Sequence, residues 1–159
     1  MSYTNADGLY VLTFGDKGRE VNQGVTVQSP RQAFVLDLSL TEVGATFGAA
    51  NITPNLPFIP AGSVIVGATL YMTTAATSGG LATLTIGTYN AAGTAIVAAG
   101  IDSAIALTAI DAVGETVRCD GTHTTTAGYL SQNAYIGAIY GTAAFTAGVG
   151  KLIIEYIKA

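Results

Sequence analysis

An all-β fold, a jelly-roll-like two-sheet β-sandwich with an extended N-terminal arm and at most one short helix, is what this sequence predicts. Three observations carry that reading. Apolar and polar residues alternate with a period of two in several runs, most clearly between Phe58 and Tyr89, and period two places successive side chains on opposite faces of a strand. The composition joins Ala, Val and Ile to abundant Thr and Gly, a mixture that favours strands and tight turns over helices. Finally, about eight short strands separated by long loops fit a sandwich better than an alternating α/β fold.

Taken in order, residues 1–31 read as an arm with the first strands. Leu9 to Phe14 forms one strand, closed by the turn cluster Gly15-Asp16-Lys17-Gly18, and Val21 to Val27 forms a weaker one. The region is thinly apolar, so its apolar residues are expected to find partners on a neighbour. Residues 32–159 read as the sandwich. There Phe34, Leu36, Leu38 and Leu40 alternate with Val35, Asp37 and Ser39, a half-buried strand. All four prolines lie between residues 30 and 60, which marks Gly44 to Ile59 as a surface connection.

Next, Val64, Val66, Ala68, Leu70 and Met72 share one face, and Ala82, Leu84, Ile86 and Thr88 share another. The two runs are expected to pair as a hairpin across Thr74 to Gly80, where Gly79-Gly80 permits a reversal. Thr94 to Ala99 is a further strand. Asp102 to Val113 is the helix candidate, capped by Asp102 or Ser103 and ended by Gly114. Strands at Glu115 to Asp120 and Tyr129 to Tyr140 flank a Thr-rich loop. Gly141 to Gly150 turns the chain into a last strand expected to be buried on both faces except around Glu155. The predicted core is Leu36, Leu38, Val64, Val66, Leu70, Met72, Leu84, Ile86, Ile136, Ile154 and Tyr156.

Composition also limits the function. Only 10% of the 159 residues are charged and 50% are hydrophobic, with mean hydropathy +0.49, whereas a soluble monomer usually carries about 25% charge. Part of the surface is therefore expected to meet another subunit. A net charge of −4 with six scattered Lys and Arg argues against direct nucleic-acid binding, which relies on clustered cations. Two apolar stretches, Ala91 to Val113 and Ala134 to Ile157, are interrupted by Asp102 and Asp111 and by Lys151 and Glu155, so no membrane span is expected. The first residues lack the pattern of a signal peptide, and the lone Cys119 forms no internal disulfide, which fits assembly in a reducing compartment.

The search for chemistry finds little. His123 is the one histidine, no G-x-S-x-G elbow accompanies it, and its setting among threonines predicts an exposed loop residue; a hydrolase would rest on it alone. His123 and Cys119 lack the second pair that zinc needs. Asp102, Asp111 and Asp120 lack the alternate carboxylates of a calcium loop and read as caps and turns. Gly148-Val149-Gly150-Lys151 lacks the P-loop's other residues, with Phe145 and Leu152 at the discordant positions, and reads as a turn before a strand. Asn51-Ile52-Thr53 is a chance sequon, and Cys119 a small core residue. No cofactor, metal or catalytic residue is expected.

Asn5-Ala6-Asp7-Gly8-Leu9-Tyr10 followed by Phe14-Gly15 resembles the opening of tailed-bacteriophage capsid decoration (cement) proteins. Pro60-Ala61-Gly62 before a long strand, Ala75-Ala76-Thr77-Ser78-Gly79 before Leu84-Thr85-Ile86-Gly87, and Thr146-Ala147-Gly148 before Ile154-Glu155-Tyr156 are similar to that family too; residues 15–57 carry little of the likeness. The resemblance implies a homotrimer on the outside of the virion, bound to the major capsid protein shell after assembly in the host cytoplasm. Leu9, Tyr10, Val11 and Phe14 are the candidates for arm contacts, to the next subunit or to the shell, because the arm cannot bury them against itself. The alternative is a tail or fibre β-sandwich that binds a host glycan or receptor.

Overall fold

The computed structural model describes residues 2–4, 10–12 and 31–158. The chain divides into two units, Met1–Gln32 and Ala33–Ala159. In the first, β1 (Ser2–Thr4) pairs antiparallel with β2 (Tyr10–Leu12), Ser2 opposite Leu12 and Thr4 opposite Tyr10. The strand expected at Val21 to Val27 lies outside the described residues, as do Leu9 and Phe14 of the expected first strand.

Two antiparallel sheets make up the rest. β3 (Arg31–Ser39), β5 (Ser63–Ser78), β8 (Thr116–Arg118) and β11 (Phe145–Lys158) form one sheet in the order β3-β11-β5-β8, with β9 (Tyr129–Leu130) also on β5. β4 (Phe58–Ile59), β6 (Thr83–Tyr89), β7 (Ala95–Ala106) and β10 (Ala134–Gly141) form the other in the order β4-β10-β6-β7. We call these the first and second sheets. Leu70, Met72, Leu152 and Ile154 from the first and Leu84, Ile86, Ile101 and Ile136 from the second fill the interior between them. The predicted two-sheet sandwich is the observed architecture.

The expected central hairpin is not. β5 and β6 belong to different sheets, so the chain from Gly79 to Ala82 crosses the sandwich instead of turning back within a sheet. Each strand has one apolar face in either arrangement, and alternation alone cannot distinguish a hairpin from a crossover. β5 instead pairs with β11 along its length, from Ser63 opposite Lys158 to Ser78 opposite Phe145. β6 pairs with β10, from Thr83 opposite Gly141 to Tyr89 opposite Tyr135. The crossovers β5 to β6 and β10 to β11 therefore run side by side, joined where the Ser78 hydroxyl donates to the Ala144 carbonyl at 2.8 Å. That wrapping of paired ribbons from one sheet to the other is jelly-roll-like.

A bulge corrects the predicted core. Glu155 stands opposite Gly67 but Tyr156 opposite Ile65, leaving Val66 without a counterpart. One extra residue inverts the phase of the strand beyond it. Ile65 and Ser63 therefore point inward, while Val66 is 37% exposed and Val64 only half-buried. Leu70, Met72, Leu84, Ile86, Ile136 and Ile154 are buried as expected, with Leu36, Leu38 and Tyr156 packed at the margin.

The helix expected at Asp102 to Val113 is instead the end of β7 followed by one 3-10 turn, Leu107–Ala109. β7 carries several register shifts against β6: Asp102 lies opposite Ile86 and Val97 opposite Thr88. Five steps along β7 thus match two along β6, and this bulging breaks the period of two that would have marked a strand. A one-turn helix α1 (Thr122–Thr125) occupies the expected Thr-rich loop. The turn expected at Gly141 to Gly150 shrinks to three residues, because β11 already starts at Phe145. Gly148 to Lys151 is therefore strand, not turn. Tyr129 to Tyr140 is split: Ser131 to Asn133 crosses between sheets, and Asn133 Oδ1 accepts the Ala61 N–H at 2.9 Å.

Candidate interface on the outer sheet faces

His123, expected to be exposed, is buried in α1. Its Nδ1 lies 2.6 Å from the Ala127 carbonyl, which can only accept, so Nδ1 donates there and Nε2, 3.0 Å from Thr88 Oγ1, takes the hydroxyl hydrogen. Thr88 belongs to the second sheet, and the histidine thus ties α1 to β6. Both ring nitrogens are engaged in structure, and among the described residues no serine or carboxylate completes a triad around them.

Asp102, read as a cap, is a buried residue of β7 whose Oδ2 accepts the Asp120 N–H at 3.3 Å. Burial pushes its carboxyl above the ordinary carboxylate range; the hydrogen bonds from Asp120 and Cys119 oppose that only in part. Beside it the Cys119 thiol is pushed up to about 12, first by burial and then by the Asp102 charge. A nucleophilic thiol needs the opposite environment, so Cys119 is the small core residue expected. Among the described residues no three His, Cys, Asp or Glu side chains gather as a metal ion requires.

The two sheets differ in what lies on their outer faces. On the second sheet, Tyr89 and Gly137 face outward, and the connection from Gly44 to Leu56 covers them. Gly44 bridges to Ile139, and its carbonyl accepts the Tyr140 N–H at 3.0 Å. Phe47 then stacks on Tyr89 with ring centroids 4.3 Å apart. Gly137 makes room for it, since a Cβ there would stand 2.7 Å from the Phe47 ring and 2.6 Å from that of Tyr89. Further on, Gly93, at φ +74°, presses against Gly48 and Ala49. As a result Tyr89 is buried although it points away from the interior.

On the first sheet, no described segment of residues 33–158 plays that part. Its outward positions include Val35 on β3, Ile153 on β11 opposite Thr69, and Tyr71 on β5 opposite Lys151, with Val66 further along β5. Val35 is 55% exposed, Tyr71 40% and Ile153 36%. The last strand is therefore buried on one face only, contrary to expectation. The charges that share this face are Asp37 and Glu155 with Arg31, Lys151 and Arg118, and Lys151 is paired to Asp37 across β3 and β11. Ile153 stands between Lys151 and Glu155 and opposite Thr69, so apolar and charged groups are interleaved on this face, as they are on the mixed surface of a protein–protein contact.

A cavity of about 210 Å³ opens between β3, the Gly44 to Leu56 connection and β10, lined by Leu36, Leu38, Phe47 and Ile136 with Asp37 and Glu42 among its polar groups. No nucleophile and base converge on it. Of the arm residues expected to make contacts, Tyr10 and Val11 lie in β2 and pair with Thr4 and Tyr3, while Leu9 and Phe14 are outside the described residues. The outer face of the first sheet is the candidate site that sequence reasoning missed. Its signal was present as the polar-looking partner positions of two strands, which alternation assigned to no partner.

No protein-family model matches the chain, and no curated protein matches it. Among solved structures, a chain of the cyanophage Pam1 capsid asymmetric unit is similar with a TM-score of 0.50 and 19% identity. The match covers 92% of this chain and 98% of that one. At that identity the likeness is one of fold, extending over nearly the whole of both chains.

Proposed function

We propose that this chain is a non-enzymatic structural protein of a bacteriophage virion, one that decorates the capsid by binding the outer surface of the major capsid protein shell and so cements it. The observation that carries the reading is the outer face of the first sheet, where Val35, Tyr71 and Ile153 are exposed and no described segment of residues 33–158 lies over them. Soluble monomers rarely expose such patches unless a partner uses them. The nearly end-to-end likeness in fold to a chain of a cyanophage capsid supports the same reading. The engagement of His123 and the raised Cys119 thiol support a structural rather than catalytic role.

In this reading the protein acts as a homotrimer on the capsid exterior, assembled in the host cytoplasm, and Leu9, Tyr10, Val11 and Phe14 of the arm contact the next subunit or the shell. Labelling the protein on intact particles tests it: density over the shell is expected, and a tail position with no shell contact would overturn it. Removing residues 1–18 is expected to leave the sandwich folded and weaken attachment to purified capsids. Undiminished binding by the truncated chain would remove the arm from the proposal.

A further inference from the structure

We propose that residues 120–127 form a flap that is hinged on the first sheet, latched to the second, and released from it as pH rises, with Asp102 as the catch. Both hinges lie on β5. The Cys119 N–H donates to the Ala68 carbonyl at 3.0 Å before the flap, and the Ile65 N–H donates to the Gly128 carbonyl at 2.8 Å after it. Between the hinges the chain closes on itself. The Ala127 N–H donates to the Thr122 carbonyl, the Thr125 hydroxyl to the Gly121 carbonyl, and His123 Nδ1 to the Ala127 carbonyl, so the segment is built to move as a unit.

Among the described residues, three hydrogen bonds latch the flap to the second sheet. The Asp120 N–H donates to Asp102 Oδ2 at 3.3 Å, the Gly121 N–H to the Ile101 carbonyl at 2.8 Å, and the Thr88 hydroxyl to His123 Nε2 at 3.0 Å. Glycines shape the seat: a Cβ on Gly100 would stand 2.5 Å from His123 Cδ2, and one on Gly121 2.4 Å from the Ile101 carbonyl carbon. Among the described strands β7 pairs with β6 alone, and the closed flap covers that free edge at Ile101. Asp102 is buried beneath it. The titratable groups that face its carboxyl are the Cys119 thiol and the Asp120 carboxylate; Ile86, opposite it on β6, carries no charge, and the His123 ring is turned to Thr88 and Ala127. Burial first, and then the Asp120 charge, raise the Asp102 carboxyl above 3.8 against the hydrogen bonds it accepts. Lifting the flap returns that carboxyl to water, so the closed form binds the proton more tightly than the open one. The advantage of the closed form is full below about pH 3.8 and is lost as pH rises through the raised value.

Hydrogen exchange of single amides in the full chain, followed by NMR, tests the device, with Gly121 reporting the latch and Cys119 the hinge. After correction for intrinsic rates, Gly121 is expected to exchange at least about tenfold faster than Cys119 at pH 7.5, through an opening insensitive to low denaturant. Its protection relative to Cys119 is expected to fall at least about threefold from pH 4.5 to 7.5 in wild type and to stay level in Asp102→Asn. Gly100→Ala, which pushes the His123 ring from its seat, is expected to speed Gly121 at both pH values and leave Cys119 unchanged. Equal exchange at Gly121 and Cys119 would overturn the proposal, because no separate flap would then exist, and so would an unaltered Gly121 in Gly100→Ala. The same pH response in Asp102→Asn as in wild type would also overturn it and give the catch to another group. If Asp102→Asn does not fold, wild type decides alone: relative protection at Gly121 that does not fall between pH 4.5 and 7.5 removes the catch. None of these readouts depends on the virion role.

Discussion

The outer faces of the two sheets are built from similar strands and finished in opposite ways. On the second sheet, Tyr89 points outward and is buried, because Phe47 lies on it and Gly137 leaves space for the ring. On the first, Tyr71 and Ile153 point outward and remain open. Both sheets therefore carry outward apolar groups, but only one sheet is covered from within the described chain. The difference teaches that an outward aromatic is not in itself a sign of an interface; what matters is whether a neighbouring segment reaches it. Gly44 to Leu56 reaches Tyr89 because β10 offers Ile139 as a bridge for Gly44 and a free N–H at Tyr140. The strands beside Tyr71 and Ile153 are instead paired on both sides, since β5 lies between β11 and β8, and β11 between β3 and β5.

The interior sets the scale against which the two faces can be compared. Leu70 is fully buried between the sheets, so Leu70→Ala is expected to cost about 2–5 kcal/mol in chemical denaturation. An unchanged midpoint would show that the strand face is wrong. On the covered face, Gly137→Val forces a branched side chain between Phe47 and Tyr89 and is expected to cost about 1–3 kcal/mol. If the variant is as stable as wild type, Phe47 does not hold the connection to the second sheet, and the contrast between the faces weakens. On the open face, Ile153→Thr measured at concentrations that dissociate the chain is expected to change stability by no more than about 0.5 kcal/mol. A loss comparable to that of Gly137→Val would mean that Ile153 is covered after all.

Where the sheets meet at Asp102 and Cys119, stability depends on pH. Burial raises the Asp102 carboxyl above its unfolded value of 3.8, so the native state binds that proton more tightly than the unfolded chain does. The stabilisation is full below about pH 3.8 and is lost as pH rises through the folded value. Asp102→Asn is therefore expected to stabilise the protein more at pH 7 than at pH 3.5, relative to wild type; equal effects at both would contradict the burial of its charge. For Cys119 the rise from 9.0 to about 12 gives stability that is present below pH 9 and lost toward pH 12. A disulfide reagent at pH 8 should accordingly label Cys119 only after denaturant is added, and rapid labelling of the native protein would place the thiol at the surface.

Strand identity and the existence of two apolar layers were determined by the sequence itself. Phe34 through Leu40, Leu84 with Ile86, and Leu152 with Ile154 alternate because each strand buries one side, and that constraint is written residue by residue. The burial of Cys119 was legible for the same reason, from its place in an alternating segment. Which sheet a strand joins was decided only in three dimensions. β5 and β6 satisfy the same pattern as a hairpin or as a crossover, and the choice depends on β11 and β10, whose paired residues lie some forty-five positions or more further along the chain. Bulges were equally hidden, since one unpaired residue at Val66 inverts a face without altering any local preference, and those in β7 break its period of two. His123 became a core residue only because Thr88 and the Ala127 carbonyl meet it there. The candidate contact face follows the same logic: Val35, Tyr71 and Ile153 are far apart in the chain, and only strand pairing brings them to one face of one sheet, where burial depends on a partner that no local pattern can specify.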